Sequence, residues 1–123
     1  MKPTDTVEEK VNIDLINEWI KELRSGRYKQ TSEMLYNAEN QGFCCLGVAC
    51  NSLFDTPIQT LEGEALPDEI DGPYPKWFTD INNRFKAIYG HSLSDLNDSG
   101  SYNFDEIADA LQLVYIEKAL GDV

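Results

Sequence analysis

Four of the chain's ten basic residues fall within nine consecutive positions, and they are the first candidates for chemistry. They are Lys21, Arg24, Arg27 and Lys29. No lysine or arginine occurs at positions 30–75 or 87–117. The planar guanidinium of arginine suits phosphate or carboxylate, and Ser25-Gly26 would let backbone amides approach a ligand. This spacing predicts an anion-binding loop, with Tyr28 placed to stack on a base or to pack inward.

The same cluster has a second interpretation, in which its charges serve only the fold. Lys21 and Arg24 would complement the dipole at the end of a helix, while the arginines would pair with Glu22, Glu33 or an acidic loop. Each such contact contributes about 0.3–1 kcal/mol. The two interpretations differ in whether the guanidinium groups are available to a ligand.

Carboxylates are dense between positions 95 and 109. They belong to Asp95, Asp98, Asp105, Glu106 and Asp109. Their spacing does not match a calcium loop, which needs glycine at its sixth position and glutamate at its twelfth. Asparagine, serine and aspartate also cap helices and close turns, and we expect that role here. The alternative is a ligand-contacting loop that uses Asn97 and Asp98.

The predicted ligand-binding residues therefore come from two separate segments of the chain. They are Arg24, Ser25, Gly26, Arg27, Tyr28, Lys29, Gln30, Asn97 and Asp98. The expected ligand is small and anionic, such as a nucleotide. We assign no catalytic residue, no metal and no cofactor.

The three cysteines lie in the most apolar segment, at Cys44, Cys45 and Cys50. An odd number of cysteines does not make a disulfide framework, and a structural zinc site would need four ligands in separated pairs. A nucleophilic thiol of Cys44 or Cys45 paired with His91 is a possible arrangement, since the partners need only be close in space. Free cysteine is among the most buried residue types, so we expect core packing.

Composition limits the class of protein. The 123 residues suffice for one domain, with 41% hydrophobic and 26% charged residues. Acidic residues outnumber basic ones by 22 to 10, which gives a formal charge of −12 and argues against direct binding to nucleic acid or to anionic membranes. No apolar run approaches the ~20 residues that cross a bilayer, and the start lacks the apolar segment of a signal peptide. We expect a cytoplasmic protein.

Hydrophobic spacing predicts the elements that would position these residues. Ile13, Ile16, Ile20 and Leu23 recur at helical intervals behind an Asn12 cap, and Gly26 is placed to end that helix. Residues 33–36 and 42–44 flank a polar insert and predict a short β-hairpin. The run CCLGVACNSLF predicts a buried helix, and residues 58–61 a strand that ends at Gly63.

The second half of the chain predicts a loop and two further helices. Residues 62–75 read as a loop, with one helical turn at 67–70. Aromatic and aliphatic residues predict an amphipathic helix that ends at Gly90. Its apolar residues are Trp77, Phe78, Ile81, Phe85 and Ile88. Asn103 and Glu106 form a capping box that opens the last helix. The inward face of that helix is Phe104, Ile107, Ala108, Leu111, Val114 and Tyr115.

These elements predict a small, helix-rich α+β domain with a short β-hairpin or a small antiparallel sheet. Residues 1–11 are expected to be a flexible lead-in and residues 12–123 a single globular domain. The apolar faces of the strongest helices need a common partner, which predicts one contiguous core. Its expected members are Trp19, Leu23, Phe43, Leu46, Val48, Phe104, Ile107 and Leu111.

Four sequence pieces carry a resemblance to a known group of proteins. They are W-x(3)-LRSG-x-Y-x-Q, CCLGV-x-C, LND-x-G and F-x-x-IAD, which begin at Trp19, Cys44, Leu96 and Phe104. In this order and spacing they resemble a family of small uncharacterised proteins from phage genomes and prophage regions. The resemblance implies a phage-type accessory protein in the host cytoplasm, with a role in host takeover or counter-defence. It supplies no reaction.

We therefore expect a non-enzymatic binding protein for a small anionic ligand. One alternative is an acidic protein that binds a host enzyme or mimics DNA, for which the acidic stretch at positions 62–71 is the candidate surface. The other alternative is a cysteine hydrolase that uses Cys44 or Cys45 with His91.

Overall fold

The computed structural model describes residues 11–64 and 74–118. Its elements in chain order are α1 (Ile13–Arg24), β1 (Lys29–Gln30), β2 (Tyr36–Asn37), β3 (Gly42–Phe43), α2 (Cys45–Phe54), α3 (Ile58–Leu61), α4 (Lys76–Thr79), α5 (Ile81–Tyr89), α6 (Leu93–Asp98), α7 (Phe104–Leu111) and a π-helical segment (Gln112–Lys118). The predicted lead-in up to residue 10 and the predicted turn at 67–70 lie outside the described residues. The fold is helix-rich α+β, as predicted.

Helix α1 follows directly from its sequence. The Asn12 side chain accepts a hydrogen bond from the backbone N–H of Leu15, which satisfies a donor that the first turn leaves open. The apolar stripe of α1 buries Ile16, Trp19, Ile20 and Leu23. Gly26 then adopts a φ of +79°, as expected for the residue that ends a helix.

The predicted hairpin is present, but its sheet is mixed rather than antiparallel. Strand β2 pairs with β3 in antiparallel register, Tyr36 opposite Phe43. Strand β1 adds to the other edge of β3 in parallel register, Lys29 opposite Gly42. A two-residue strand is too short to show an alternation of hydrophobic and polar residues, so the sequence does not predict β1.

Helix α2 is confirmed where the cysteine run predicts a buried helix. Cys44 is its N-cap, and the thiol sulfur accepts from the backbone N–H of Gly47 at 3.3 Å. Gly47 lies so close to the hairpin that an added Cβ would stand 2.0 Å from the carbonyl oxygen of Leu35. The absence of a side chain at this position sets how closely α2 approaches the sheet.

Two predictions for the middle of the chain are wrong. Residues 58–61 form the short helix α3 instead of a strand, because Pro57 opens a turn whose carbonyl accepts from the backbone N–H of Thr60. The predicted helix before Gly90 is divided at Asp80 into α4 and α5. Ile88 is 45% exposed, so it does not belong to the inward face of α5.

Helix α7 carries the predicted capping box, in which Asn103 and Glu106 each bond the other's backbone N–H at 2.9 Å. All six residues of its predicted inward face are buried, although the last two lie in the π-helical segment. Helix α6 was not predicted, because the segment reads as turn-forming residues. Its N-cap is Ser92, whose hydroxyl accepts from the backbone N–H of Asp95.

One cluster of buried side chains joins these elements. Helix α1 packs against both α7 and α2, and the indole N–H of Trp19 donates to the carbonyl of Cys45 at 2.9 Å. The predicted core is confirmed except that Phe43 is only half-buried against it. In the described part of the chain, no helix is long and apolar enough to cross a membrane.

Candidate functional site

Asn97 is a buried hydrogen-bond centre that connects three segments of the fold. Its Oδ1 accepts from the backbone N–H of Cys45 at 3.1 Å and from Nε2 of Gln30 at 3.0 Å. Its Nδ2 donates to the carbonyl of Thr31 at 2.7 Å and to Oδ1 of Asp98 at 3.2 Å. With 2% exposure and both ends of the amide engaged, Asn97 holds β1, α2 and α6 together.

Two other predicted site residues join this centre. Gln30 donates a second hydrogen bond from Nε2, to the carbonyl of Tyr102 at 3.0 Å. Asp98 accepts from the backbone N–H of Glu33 at 2.9 Å, and Glu33 adopts a φ of +71° that is uncommon for a residue with a side chain. The structure thus brings Gln30, Asn97 and Asp98 together, in roles that hold the backbone.

The two arginines of the basic cluster are each paired with a carboxylate of this chain. Arg24 donates from Nη2 to Oδ1 of Asp109 at 2.8 Å and to Oε1 of Gln112 at 3.3 Å. Arg27 donates to Oε1 of Glu22, and the bond to this carboxylate raises the pKa of the guanidinium above its usual value. This arrangement matches the second interpretation of the cluster, in which the arginines bind internal carboxylates.

The other residues of the basic cluster take separate roles. The Ser25 hydroxyl donates to the carbonyl of Glu22 at 2.6 Å and accepts from the backbone N–H of Arg27. Tyr28 packs inward, with its ring edge-on to Phe43. Lys29 is exposed on β1, and no ion pair connects it to another described residue. Three of the predicted anion-binding residues are cations. Among them, Lys29 is the one that forms no ion pair with a carboxylate of the described residues.

The cysteines are buried and lack the setting of an activated nucleophile. Burial raises the pKa of the Cys44 thiol to about 11 and that of Cys50 to about 12. Burial also raises the pKa of Cys45 well above its usual value. These shifts keep the thiols protonated at neutral pH, whereas a reactive thiol needs a lowered pKa. His91 is exposed after Gly90, and it does not line the cavity that Cys44 and Cys45 border.

Three cavities surround the Asn97 centre and α7. A cavity of about 230 Å³ lies beside Cys44, Cys45 and Asn97 and is walled mainly by apolar atoms. A second of about 380 Å³ extends from Gln30 and Asn97 to Glu106. A third of about 470 Å³ shares Glu106 with the second and continues along α7. Within residues 11–64 and 74–118, no group of histidines, cysteines and carboxylates is arranged to hold a metal ion.

Sequence reasoning missed how Asn97 and Tyr102 take part. The usable signal lies in α6, where Leu93, Leu96 and Asn97 share one buried face. A polar residue on an apolar helical face must find hydrogen-bond partners inside the protein. Tyr102 contributes its backbone carbonyl, and no side-chain pattern announces such a contact.

In the comparisons with known proteins, part of the chain is similar to one family model, for which no function is given. Residues 11–62 match the family model of a domain of unknown function, DUF8296. The matched range contains α1, the sheet, α2 and α3, and it ends before α6 and α7. Neither the curated proteins nor the solved structures yielded a match. The similarity concerns residues 11–62, which are less than half of the chain.

Proposed function

We propose that this chain is a non-enzymatic binding protein that presents an acidic surface to a positively charged protein partner. The observation that carries the proposal is the internal pairing of Arg24 with Asp109 and of Arg27 with Glu22. In each pair, a carboxylate of the chain itself partly neutralises an arginine of the basic cluster. The carboxylate takes Nη2 of the arginine, so an anion that binds there must approach beside a negative charge.

The remaining charge favours a cationic partner. The chain carries a formal charge of −12, and such a field attracts basic surfaces while it repels phosphates. The electrostatic attraction would raise the association rate and make binding sensitive to salt. The resemblance to phage-type proteins adds a biological setting, in which the partner is a host protein in the host cytoplasm and binding serves host takeover or counter-defence.

The buried thiols support a binding role over catalysis. A cysteine hydrolase needs a thiolate near a base, and the raised pKa values of Cys44 and Cys45 oppose thiolate formation.

A small anionic ligand is the second candidate, and it is favoured by the charge of Lys29, which forms no ion pair with any residue that the structure describes. Gly26 also leaves open space on the side where a Cβ would stand, so a ligand has access to the backbone there. At Arg27, whose side chain is 65% exposed, an anionic ligand would lie beside the carboxylate of Glu22. The repulsion between that carboxylate and the ligand is the reason why the acidic-surface proposal ranks first.

Native mass spectrometry of the chain isolated from cells that produce it separates the two candidates. The acidic-surface proposal expects a stoichiometric complex with a basic protein at low ionic strength that dissociates at high ionic strength. A co-purifying phosphorylated small molecule, lost from the Arg27→Ala variant, would support the second candidate instead. The free chain alone under all conditions would overturn the proposal.

A further inference from the structure

A groove along α7 combines carboxylates, tyrosine rings and exposed apolar surface. We call it the α7 groove and define it by Tyr89, Tyr102, Glu106, Asp109 and Leu113, which line the cavity of about 470 Å³. It continues into the cavity beside Gln30 and Asn97, because the two cavities share lining residues. The groove is thus an extended depression on the surface.

The walls of the α7 groove differ in chemistry. Glu106 and Asp109 lie on one side, and no lysine or arginine lines either cavity among the described residues. Tyr89 and Tyr102 are half-buried, and their hydroxyls lie 3.5 Å apart. The capping box uses Oε1 of Glu106, and Arg24 contacts Oδ1 of Asp109. Within residues 11–64 and 74–118, no hydrogen bond reaches the second oxygen of either carboxylate.

An exposed apolar side chain lies within the groove. Leu113 lines the groove and is 41% exposed. It is one of the three large hydrophobic residues that are exposed in the described part of the chain. Apolar surface next to carboxylates fits an amphipathic partner.

We propose that the α7 groove is the docking surface for a basic, amphipathic peptide segment of the partner protein. This inference rests on the proposed function and identifies the face and the kind of segment involved. Arginine or lysine side chains of the segment would bind Glu106 and Asp109 and stack on the tyrosine rings. An apolar side chain of the segment would cover Leu113. A second copy of this chain does not fit, because its charge of −12 has the same sign.

In the test, the isotope-labelled full chain is titrated with a synthetic peptide in which arginine and leucine alternate in amphipathic order. Binding is followed by the changes in the NMR chemical shifts of the backbone amides. Two comparison peptides carry glutamate in place of arginine or serine in place of leucine, and spermine serves as a small polycation. We expect shifts confined to the α7 groove with the first peptide, with clearly weaker effects from the other three probes. The groove requires both charge and apolar contact.

A pair of matched double variants separates the groove from the general acidic surface. Glu106→Gln with Leu113→Ser changes the groove and retains the capping box, since glutamine also serves at that position. Glu39→Gln with Ile58→Ser makes the same chemical change elsewhere on the surface. The exposed fraction of Ile58, 39%, is similar to the 41% of Leu113. We expect about a tenfold loss of peptide affinity in the first variant and no change in the second.

In the peptide titrations, three results would overturn the inference. The first is an equal loss of peptide affinity in both double variants. The second is binding of spermine as strong as that of the arginine–leucine peptide. The third is the absence of amide shifts at the highest soluble peptide concentration. A salt-sensitive protein complex in native mass spectrometry, unaffected by the groove variant, would retain the proposed function and reject the groove. If the peptide binds in the α7 groove but no such protein complex is found, the proposed function is rejected and the peptide-binding groove is retained.

Discussion

At the scale of single residues, Asn97 shows what sequence reasoning could and could not reach. Its residue type and its segment were selected as a candidate ligand contact, and the structure bonds it to Cys45, Gln30 and Thr31. The pairing could not be predicted, because it joins positions more than fifty residues apart. Arg24 is the converse case, since pairing with a carboxylate was foreseen but the partner Asp109 was not.

Replacement of Asn97 by alanine is expected to destabilise the protein by at least about 1–3 kcal/mol. The change leaves the buried backbone N–H of Cys45 and the carbonyl of Thr31 without their partner. Urea unfolding measures the effect, with Asn83→Ala on the exposed side of α5 as the matched control. Equal stability of the two variants would show that the Asn97 centre does not hold the fold.

The thiols predict a pH dependence of stability. The folded-state pKa of Cys44, about 11, lies above its ordinary value of 9.0, so folding favours the protonated thiol. This contribution is complete below about pH 9 and is lost as the pH rises toward 11. We expect the free energy of unfolding to fall across that window, and less steeply in Cys44→Ala. Fast alkylation of native Cys44 at neutral pH would contradict the assignment.

At the scale of elements, the strongly periodic helices were predictable and the short elements were not. Helix α1 and helix α7 each combine a cap with an apolar stripe, so their local signals agree with the tertiary fold. The strand β1 and the helix α3 have two and four residues, and tertiary contacts decide their conformation. The division between α4 and α5 at Asp80 likewise has no periodic signal.

Two alanine substitutions within α2 are expected to act in opposite directions. Gly47→Ala would place a Cβ against the carbonyl oxygen of Leu35 and cost about 1–3 kcal/mol, as overpacking does. Ser52→Ala removes a buried hydroxyl that has no hydrogen-bond partner among the described residues, and it should raise stability by about 1 kcal/mol. Urea midpoints of both variants test this contrast. A neutral Gly47→Ala would show that α2 does not approach the hairpin so closely.

At the scale of the whole molecule, the buried core stabilises the folded state and the net negative charge destabilises it. Leu111 is fully buried, and Leu111→Ala is expected to lower the free energy of unfolding by about 2–5 kcal/mol.

The acidic residues behind the charge of −12 repel one another in the compact state, so added salt should raise the unfolding midpoint of the wild type. Thermal unfolding at low and high concentrations of sodium chloride measures this effect. A midpoint that falls with salt would mean that surface ion pairs outweigh the repulsion.

The availability of the arginines to a ligand decides between the two proposed functions, and a thermal-shift experiment measures it most directly. Wild type, Arg24→Ala and Arg27→Ala are heated with and without a panel of nucleotides and inorganic phosphate. We predict no increase in the wild-type Tm with any of these anions, and a small decrease in Tm for Arg24→Ala from the lost contact with Asp109. A nucleotide that raises the wild-type Tm and leaves Arg24→Ala and Arg27→Ala unchanged would contradict the account.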